Sequence, residues 1–132
     1  MKYLLDTHAL IWAIMDTDKL SVQARNILED PDHVILVSAI SFWEIALKFS
    51  IGKLSLQGIL PEELPAIVHQ MNFGTMALDT KDASTYHMLL PLYHKDPFDR
   101  MLIWQAINGS LTLVSKDERM SAYQSEGLKV IW

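Results

Sequence analysis

The sequence predicts an α/β fold in which a mainly parallel sheet of about four to five strands carries helices on both faces. Short apolar runs alternate along the 132 residues with longer stretches whose apolar residues recur at helical spacing. Half of the residues are hydrophobic, enough for the core of one compact domain. Strands that alternate with helices pair in parallel, and the helices connect them through right-handed crossovers. The carboxyl ends of the strands should therefore lie along one edge of the sheet, the edge where ligands bind in such folds.

Five short apolar runs are the predicted strands. Each is too short to form a stable helix, and the run at 34–37 is rich in β-branched side chains, which favours a buried strand. The runs are residues 3–5, 34–37, 75–78, 111–114 and 128–131.

Capping residues and stops predict the helices of the first half. Thr7 is the expected N-cap of a helix that follows the first strand, and Ser21 opens a second helix over 22–29. Apolar residues then recur at helical spacing over 42–51, and Gly52 is the expected stop.

The second half of the chain carries three further helices and a short one. A helix over 61–71 begins with proline and two acids, and another runs from about 81 to 90. Asp96 is the expected N-cap of the next helix, with proline at its first position and Gly109 at its end. A short helix over 118–124 precedes the last strand.

Charge and composition exclude several classes of protein. Sixteen acids against eleven Lys and Arg give a net charge of −5, which argues against binding nucleic acid by broad phosphate neutralisation. The absence of cysteine excludes disulfides and thiolate chemistry and fits a reducing compartment. No signal-peptide core precedes Asp6, and no segment approaches the ~20 apolar residues of a membrane span. We therefore expect a soluble, cytoplasmic protein.

Four carboxylates fall where the predicted sheet edge would bring them together. Asp6 and Asp117 follow the first and fourth strands, Glu44 lies early in the helix after the second, and Asp99 lies in the first turn of a helix. Carboxylates about 4 Å apart repel by roughly 4 kcal/mol at an effective dielectric near 20, and a hard divalent cation removes that conflict. Oxygen ligands favour Mg²⁺ or Mn²⁺, and such a site can cleave a nucleic-acid backbone.

Each acid also has a structural explanation. Ser41 and Glu44 have the spacing of a capping box, in which Glu44 would only stabilise a helix start. Asp99 could complement a helix dipole, and Asp6 and Asp117 could be helix caps. The combination of the four acids therefore distinguishes a metal site from helix capping better than any one acid does.

Other residues offer alternatives to this set. The five histidines are compatible with a ribonuclease that uses imidazole for acid–base catalysis. A structural role explains each histidine equally well. His8 and His94 could orient the neighbouring acids through hydrogen bonds. Asp79 and Asp82 are either competing ligands or helix caps. A haloacid-dehalogenase-like phosphatase would need a second Asp two residues after Asp6, where His8 stands.

Four segments, in order, resemble the PIN domain family and most closely its VapC-type toxins. They are LLDTH at 4–8, SAISFWEI at 38–45, HKDPFDRMLI at 94–103 and LVSKD at 113–117. The similarity spans nearly the whole chain. It implies that residues 1–132 form a single PIN domain with a three-layer fold.

The resemblance also implies the site residues. It assigns metal ligands to Asp6 and Asp99, and it makes Glu44 and Asp117 the remaining catalytic acids, which bind directly or through water. Asp117 is the acid expected to act on a second ion.

Four further residues receive supporting roles. Thr7 supports the site, and Ser115 is expected to orient a phosphate or a water from its loop. Arg100 and Lys116 are adjacent to two of the acids and are candidates for RNA contacts, whereas the alternative is a solvated charged surface.

The implied function is that of a Mg²⁺-dependent endoribonuclease toxin of a type II toxin–antitoxin system. Mn²⁺ would substitute for Mg²⁺, and a metal-activated water would hydrolyse the RNA phosphodiester. The resemblance further implies inhibition by a cognate VapB-type antitoxin, a homodimer, and contact with DNA only through the antitoxin complex. One alternative stays open: a catalytically idle PIN-like binding module that acts through an antitoxin-like partner, which the low positive charge favours.

Overall fold

A computed structural model describes residues 1–90 and 93–132, and in these ranges five strands form one parallel sheet. The strands are β1 (Lys2–Leu5), β2 (Val34–Ser38), β3 (Gly74–Met76), β4 (Thr112–Val114) and β5 (Lys129–Ile131). Their order is β3-β2-β1-β4-β5, and all four pairings are parallel. The predicted parallel α/β architecture is confirmed, and β1, at the centre, places its carboxyl end at the middle of one sheet edge.

Six α-helices connect these strands in the described ranges, together with short 3₁₀ segments. The helices are α1 (Thr7–Met15), α2 (Val22–Glu29), α3 (Ala39–Ser50), α4 (Leu64–Gln70), α5 (Thr80–Thr85) and α6 (Pro97–Gly109). The 3₁₀ segments are Thr17–Lys19, Pro61–Glu63, Tyr86–Met88 and Glu118–Glu126. Within the described ranges, none of the helices is both long and apolar enough to cross a membrane.

The hydrophobic core lies on both faces of the sheet. Leu5 on β1 packs into a cluster with residues of α1, α2 and α4, whereas its neighbour Leu4 packs into a second cluster with residues of α6. Both leucines are fully buried. Because successive side chains of a strand point to opposite faces, this split produces the expected three layers.

Two helices begin earlier than predicted: the N-cap of α1 lies one residue earlier, and that of α3 three residues earlier. Asp6, rather than Thr7, is the N-cap of α1, and its carboxylate accepts a hydrogen bond from the Ala9 amide at 2.8 Å. Ser38 caps α3 directly at the end of β2, so Ser41 lies inside the helix. The capping box that would have explained the next acid on α3 is therefore absent, and both helices begin without an intervening loop.

The predicted start of α6 is confirmed. The Asp96 side chain accepts hydrogen bonds from the amides of Phe98, at 2.8 Å, and Asp99, at 3.1 Å, and Pro97 occupies the first helical position. Asp99 therefore lies in the first turn of α6, with its carboxylate at the same sheet edge as the end of β1.

Several other boundaries differ from the prediction by small shifts. Strand β3 ends at Met76 rather than at 78, and the segment Glu118–Glu126 is 3₁₀ rather than α-helical. The segment beginning at Pro61 is also 3₁₀ before α4 starts. Gly52 follows the end of α3 with a φ of +74°, as expected of a stop.

Candidate metal centre

The four sequence-predicted acids line one open cleft of about 420 Å³ at the carboxyl edge of the sheet. Asp6 follows β1 and Asp117 follows β4, while Glu44 projects from α3 and Asp99 from the first turn of α6. Asp6 and Glu44 are buried, and the other two acids are partly exposed. Residues from four separate parts of the chain are thus brought together as the sequence predicted.

His94 lies buried beside the cleft and bridges two of the acids. Its Nε2 is 2.9 Å from Oδ2 of Asp117 and 3.0 Å from Oδ2 of Asp99. Its Nδ1 accepts a hydrogen bond from the Asp96 amide at 3.2 Å, so the ring proton is at Nε2 and points toward both carboxylates. These contacts agree with the expectation that His94 could orient the neighbouring acids.

The convergence of negative charge is reflected in the pKa of Asp99. Burial is the largest cause that raises this pKa, and the negative charges of Asp96, Glu44, Asp6 and Asp117 raise it further, to about 7. Burial and the four neighbouring carboxylates together disfavour the charged form of Asp99.

Burial also raises the pKa of Asp6. The Ser115 side chain and the Ala9 amide partly offset this effect, because hydrogen bonds to a carboxylate favour its charged form. Asp6 is therefore both the cap of α1 and an acid held at the floor of the cleft.

Two basic side chains pair with the remaining acids. Arg119 donates from Nε to Oδ1 of Asp117 at 3.1 Å and from Nη2 to Oδ2 at 2.9 Å. Burial alone would raise the pKa of Asp117, but hydrogen bonds from Arg119 and His94 outweigh it and lower this pKa to about 2. Lys48 pairs with Oε2 of Glu44, one turn away on α3, and this hydrogen bond raises the pKa of the lysine.

The donor set fits a divalent cation. The other oxygen of Glu44, Oε1, is buried and has no hydrogen-bond partner among the described residues. Oxygens of Asp99 and Asp117 lie within 4.8 Å of each other and of His94 Nε2. Carboxylate oxygens at such separations, with one buried oxygen left unpaired, suit the oxygen-rich coordination of Mg²⁺ or Mn²⁺.

Thr7 and Ser115 are buried beside the acids. The Thr7 hydroxyl donates to Ser41 Oγ at 3.1 Å, joining α1 to α3. Ser115 Oγ accepts a hydrogen bond from the Asp117 amide at 3.1 Å and so orders the loop that carries this acid. These contacts hold together the segments that carry the acids; a role of Ser115 toward phosphate stays a prediction.

The expectation that Arg100 contacts RNA is wrong. Its side chain is 3% exposed and is held inside the protein by the hydroxyls of Tyr86 and Tyr123 and the carbonyl of Leu89. The neighbouring Asp99 opens on the cleft, but successive helical residues point in directions about 100° apart, so Arg100 turns into the core.

Lys116, a sequence-predicted candidate for RNA contact, lies at the rim of the cleft together with His8 and Trp12. His8 and Trp12, on the exposed side of α1, lie with ring centroids 5.7 Å apart. Lys116 is exposed, and its Nζ lies 5.8 Å from the Trp12 ring centroid. A positive charge and an aromatic surface therefore stand next to the acids, as an RNA-binding rim requires.

The competing acids of the third strand lie outside the cleft. Asp79 is the N-cap of α5 and accepts from the Asp82 amide at 2.7 Å. Asp82 accepts from Asn108 at 2.8 Å. Their helix-capping explanation accounts for these contacts.

Comparison with known proteins agrees with this arrangement. Residues 3–126 match the sequence model of the PIN domain family. A curated relative, "Ribonuclease VapC22" of Mycobacterium tuberculosis, is 26% identical over 129 residues, covering 98% of this chain and 97% of that protein.

Solved structures with the same fold include two DNA-bound VapBC structures. VapBC2 from Rickettsia felis, bound to a DNA fragment from its promoter, superposes with a TM-score of 0.70 at 20% identity and covers 99% of this chain and 98% of that chain. DNA-bound VapBC from Salmonella typhimurium gives a TM-score of 0.66 at 18% identity, covering 99% and 97% of the two chains. The match of nearly the whole sequence, together with the parallel sheet and the acids at its edge, shows that this chain belongs to the PIN domain family.

Proposed function

We propose that this protein is a metal-dependent endoribonuclease toxin of a type II toxin–antitoxin system. The convergence of Asp6, Glu44, Asp99 and Asp117 in one cleft is the observation that carries the proposal. Membership of the PIN domain family and the likeness to "Ribonuclease VapC22" support RNA as the substrate.

The acids have distinct roles in this proposal. Asp6 and Asp99 bind the ion directly, and Glu44 and Asp117 bind it directly or through water. When bound, Mg²⁺, or Mn²⁺ in its place, supplies a water of lowered pKa and compensates negative charge on the phosphate.

The chain's own groups prepare this site. The buried Nε2–H of His94 holds Asp99 and Asp117 in place, so that less reorganisation is needed when the ion enters. Ser115 supports the loop of Asp117 and, in this proposal, orients a phosphate or a water. Lys116 offers a positive charge to the RNA backbone. The open shape of the cleft admits a phosphodiester.

The partners follow from the same family assignment. The similar VapBC structures are DNA-bound complexes, which supports inhibition by a cognate VapB-type antitoxin and DNA contact through that complex. A homodimer is also proposed. Large apolar side chains that are exposed on the described surface, among them Trp43 and Ile51, are compatible with such partners. We further propose that residues 1–132 act as one domain in the cytoplasm, where RNA is available.

Cleavage of labelled RNA by the purified protein tests the enzymatic proposal. Asp6→Asn keeps an oxygen that can cap α1 but removes the charge, and Asp99→Asn does the same at the second proposed ligand. Each variant should lose at least about 100-fold in rate, with its circular dichroism spectrum unchanged. Asp79→Asn is the matched control, since Asp79 also caps a helix but lies outside the cleft. Undiminished cleavage by Asp6→Asn or Asp99→Asn would contradict the assignment of that residue as a metal ligand.

Expression in cells distinguishes the nuclease from an idle binding module. Wild-type protein without an antitoxin should arrest growth, whereas Asp6→Asn should not. The RNA ends produced should carry 5′-phosphate and 3′-hydroxyl groups, because water attacks and the 2′-hydroxyl does not. Equal arrest by both proteins would favour sequestration of a partner over cleavage.

A further inference from the structure

The contacts of Asp117 leave little room for an additional cation. Its Oδ1 accepts from the backbone amide of Arg119, at 2.9 Å, and from the Nε of the same residue, while its Oδ2 accepts from Nη2 and from His94. Any ion that binds this carboxylate must therefore take the place of one of these donors.

The guanidinium is the donor that can leave. The His94 side chain is 1% exposed and is fixed by its Nδ1, and the Arg119 amide is part of the turn that Asp117 caps. By contrast, the Arg119 side chain is 63% exposed. Because exposed ion pairs contribute little stability, and because a divalent ion repels a neighbouring guanidinium, entry of the ion should release this side chain.

The freed guanidinium would stand at the rim of the cleft. Its two coplanar donors, Nε and Nη2, pair with the two oxygens of Asp117. Two oxygens of a phosphate suit the same pair of donors equally well. A released Arg119 is thus placed beside the position at which the proposed function requires an RNA phosphate.

We infer that Arg119 is a phosphate-binding residue that neutralises Asp117 until a divalent ion enters, and that it then pairs with the RNA backbone. This inference rests on the proposed nuclease function and adds to it a substrate-binding residue. It also accounts for a chain of net charge −5 that binds RNA, since the ion converts an internal ion pair into a positive group available to substrate.

The inference predicts opposite effects of one substitution on two ligands. In Arg119→Gln, titration calorimetry with Mn²⁺ in the absence of RNA should show binding roughly 3- to 10-fold tighter than wild type, because a competing cation is gone. For a short labelled single-stranded RNA at saturating Mg²⁺, KM should rise about 5- to 20-fold while kcat changes less than about two-fold.

Two further variants complete the experiment. Arg119→Lys keeps the charge but loses the paired donors, so its Mn²⁺ affinity should resemble wild type and its KM should be intermediate. Arg25→Gln removes the same charge on α2, where Arg25 contacts Thr17 and Asp18 outside the cleft, and should change neither quantity.

Unchanged Mn²⁺ affinity or unchanged KM in Arg119→Gln, with wild-type protein binding the ion and cutting RNA, overturns this inference alone. Wild-type protein that neither binds Mn²⁺ nor cuts RNA overturns the proposed function, and the inference with it.

Discussion

The buried imidazole of His94 lies 2.9 Å from the carboxylate of Asp117, although the two residues are 23 positions apart in the sequence. The His94 amide in addition donates to the Tyr123 hydroxyl at 3.0 Å, so the segment before α6 is bonded both to the loop after β4 and to the segment that follows it. One residue therefore sets the position of two acids relative to each other.

Removing this bridge should weaken the metal site. His94→Ala leaves two carboxylates without their common donor, and we expect a loss of about 10- to 100-fold in Mn²⁺ affinity, measured by titration calorimetry. His94→Gln, which retains an N–H donor, should recover part of the loss. His69→Ala, on α4 away from the cleft, is the control, and an equal loss in both alanine variants would contradict the bridging role.

The raised pKa of Asp99 predicts how the stability of the metal-free protein depends on pH. Its pKa is about 7 in the folded protein and 3.8 by reference, so between about pH 4 and 7 the folded state keeps a proton that the unfolded state releases. The free energy of unfolding should therefore fall as pH rises through this window, by up to about 1.4 kcal/mol per pH unit. The raised pKa of Asp6 also makes the free energy of unfolding fall as pH rises. The lowered pKa of Asp117 changes the free energy of unfolding only below about pH 4.

Urea unfolding with EDTA at several pH values between 5 and 8 measures this slope. Asp99→Asn should flatten it, and added Mg²⁺ should stabilise the protein more at high pH than at low pH, because the ion binds the deprotonated acids. A slope that is the same in Asp99→Asn and wild type would refute this source of pH dependence.

Arg100 should be a determinant of stability rather than of RNA affinity. In Arg100→Met the Leu89 carbonyl and the hydroxyls of Tyr86 and Tyr123 lose a buried charged donor, and we expect a cost of about 3–5 kcal/mol in unfolding free energy, measured with urea. At a temperature where the variant is folded, its KM for RNA should match wild type. If Arg100→Met had wild-type stability and a raised KM, Arg100 would contact RNA despite the burial of its side chain.

Lys116 should contribute to RNA binding through charge alone. Its ammonium is exposed at the rim near Trp12, so Lys116→Gln should raise KM for all RNA sequences alike and reduce the salt dependence of log KM by about one unit of slope. Lys129→Gln, on the exposed face of β5, provides the control for net charge. A sequence-selective change would instead indicate contact with a base.

Local signals were sufficient for much of this fold. The Asp96-Pro97 start of α6 was predictable because an N-cap and a first-turn proline act within a few residues, and the run at 34–37 was recognisable as a strand from its own composition. The alternation of such elements then implied a parallel sheet, and with it the shared edge at which Asp6 and Asp117 lie.

Tertiary structure decided the contacts that no short segment encodes. Whether Arg100 faced solvent or core depended on the tyrosines that α6 meets after folding, and the cap of α3 at Ser38 depended on where β2 ended in the sheet. The bridge from His94 to Asp117 joins segments that chain topology alone brings together. From the sequence it followed that acids placed after parallel strands lie at one sheet edge, because alternating strands and helices imply a single strand direction. Only the packed structure decided which donors pair with each acid, because those distances depend on the whole core.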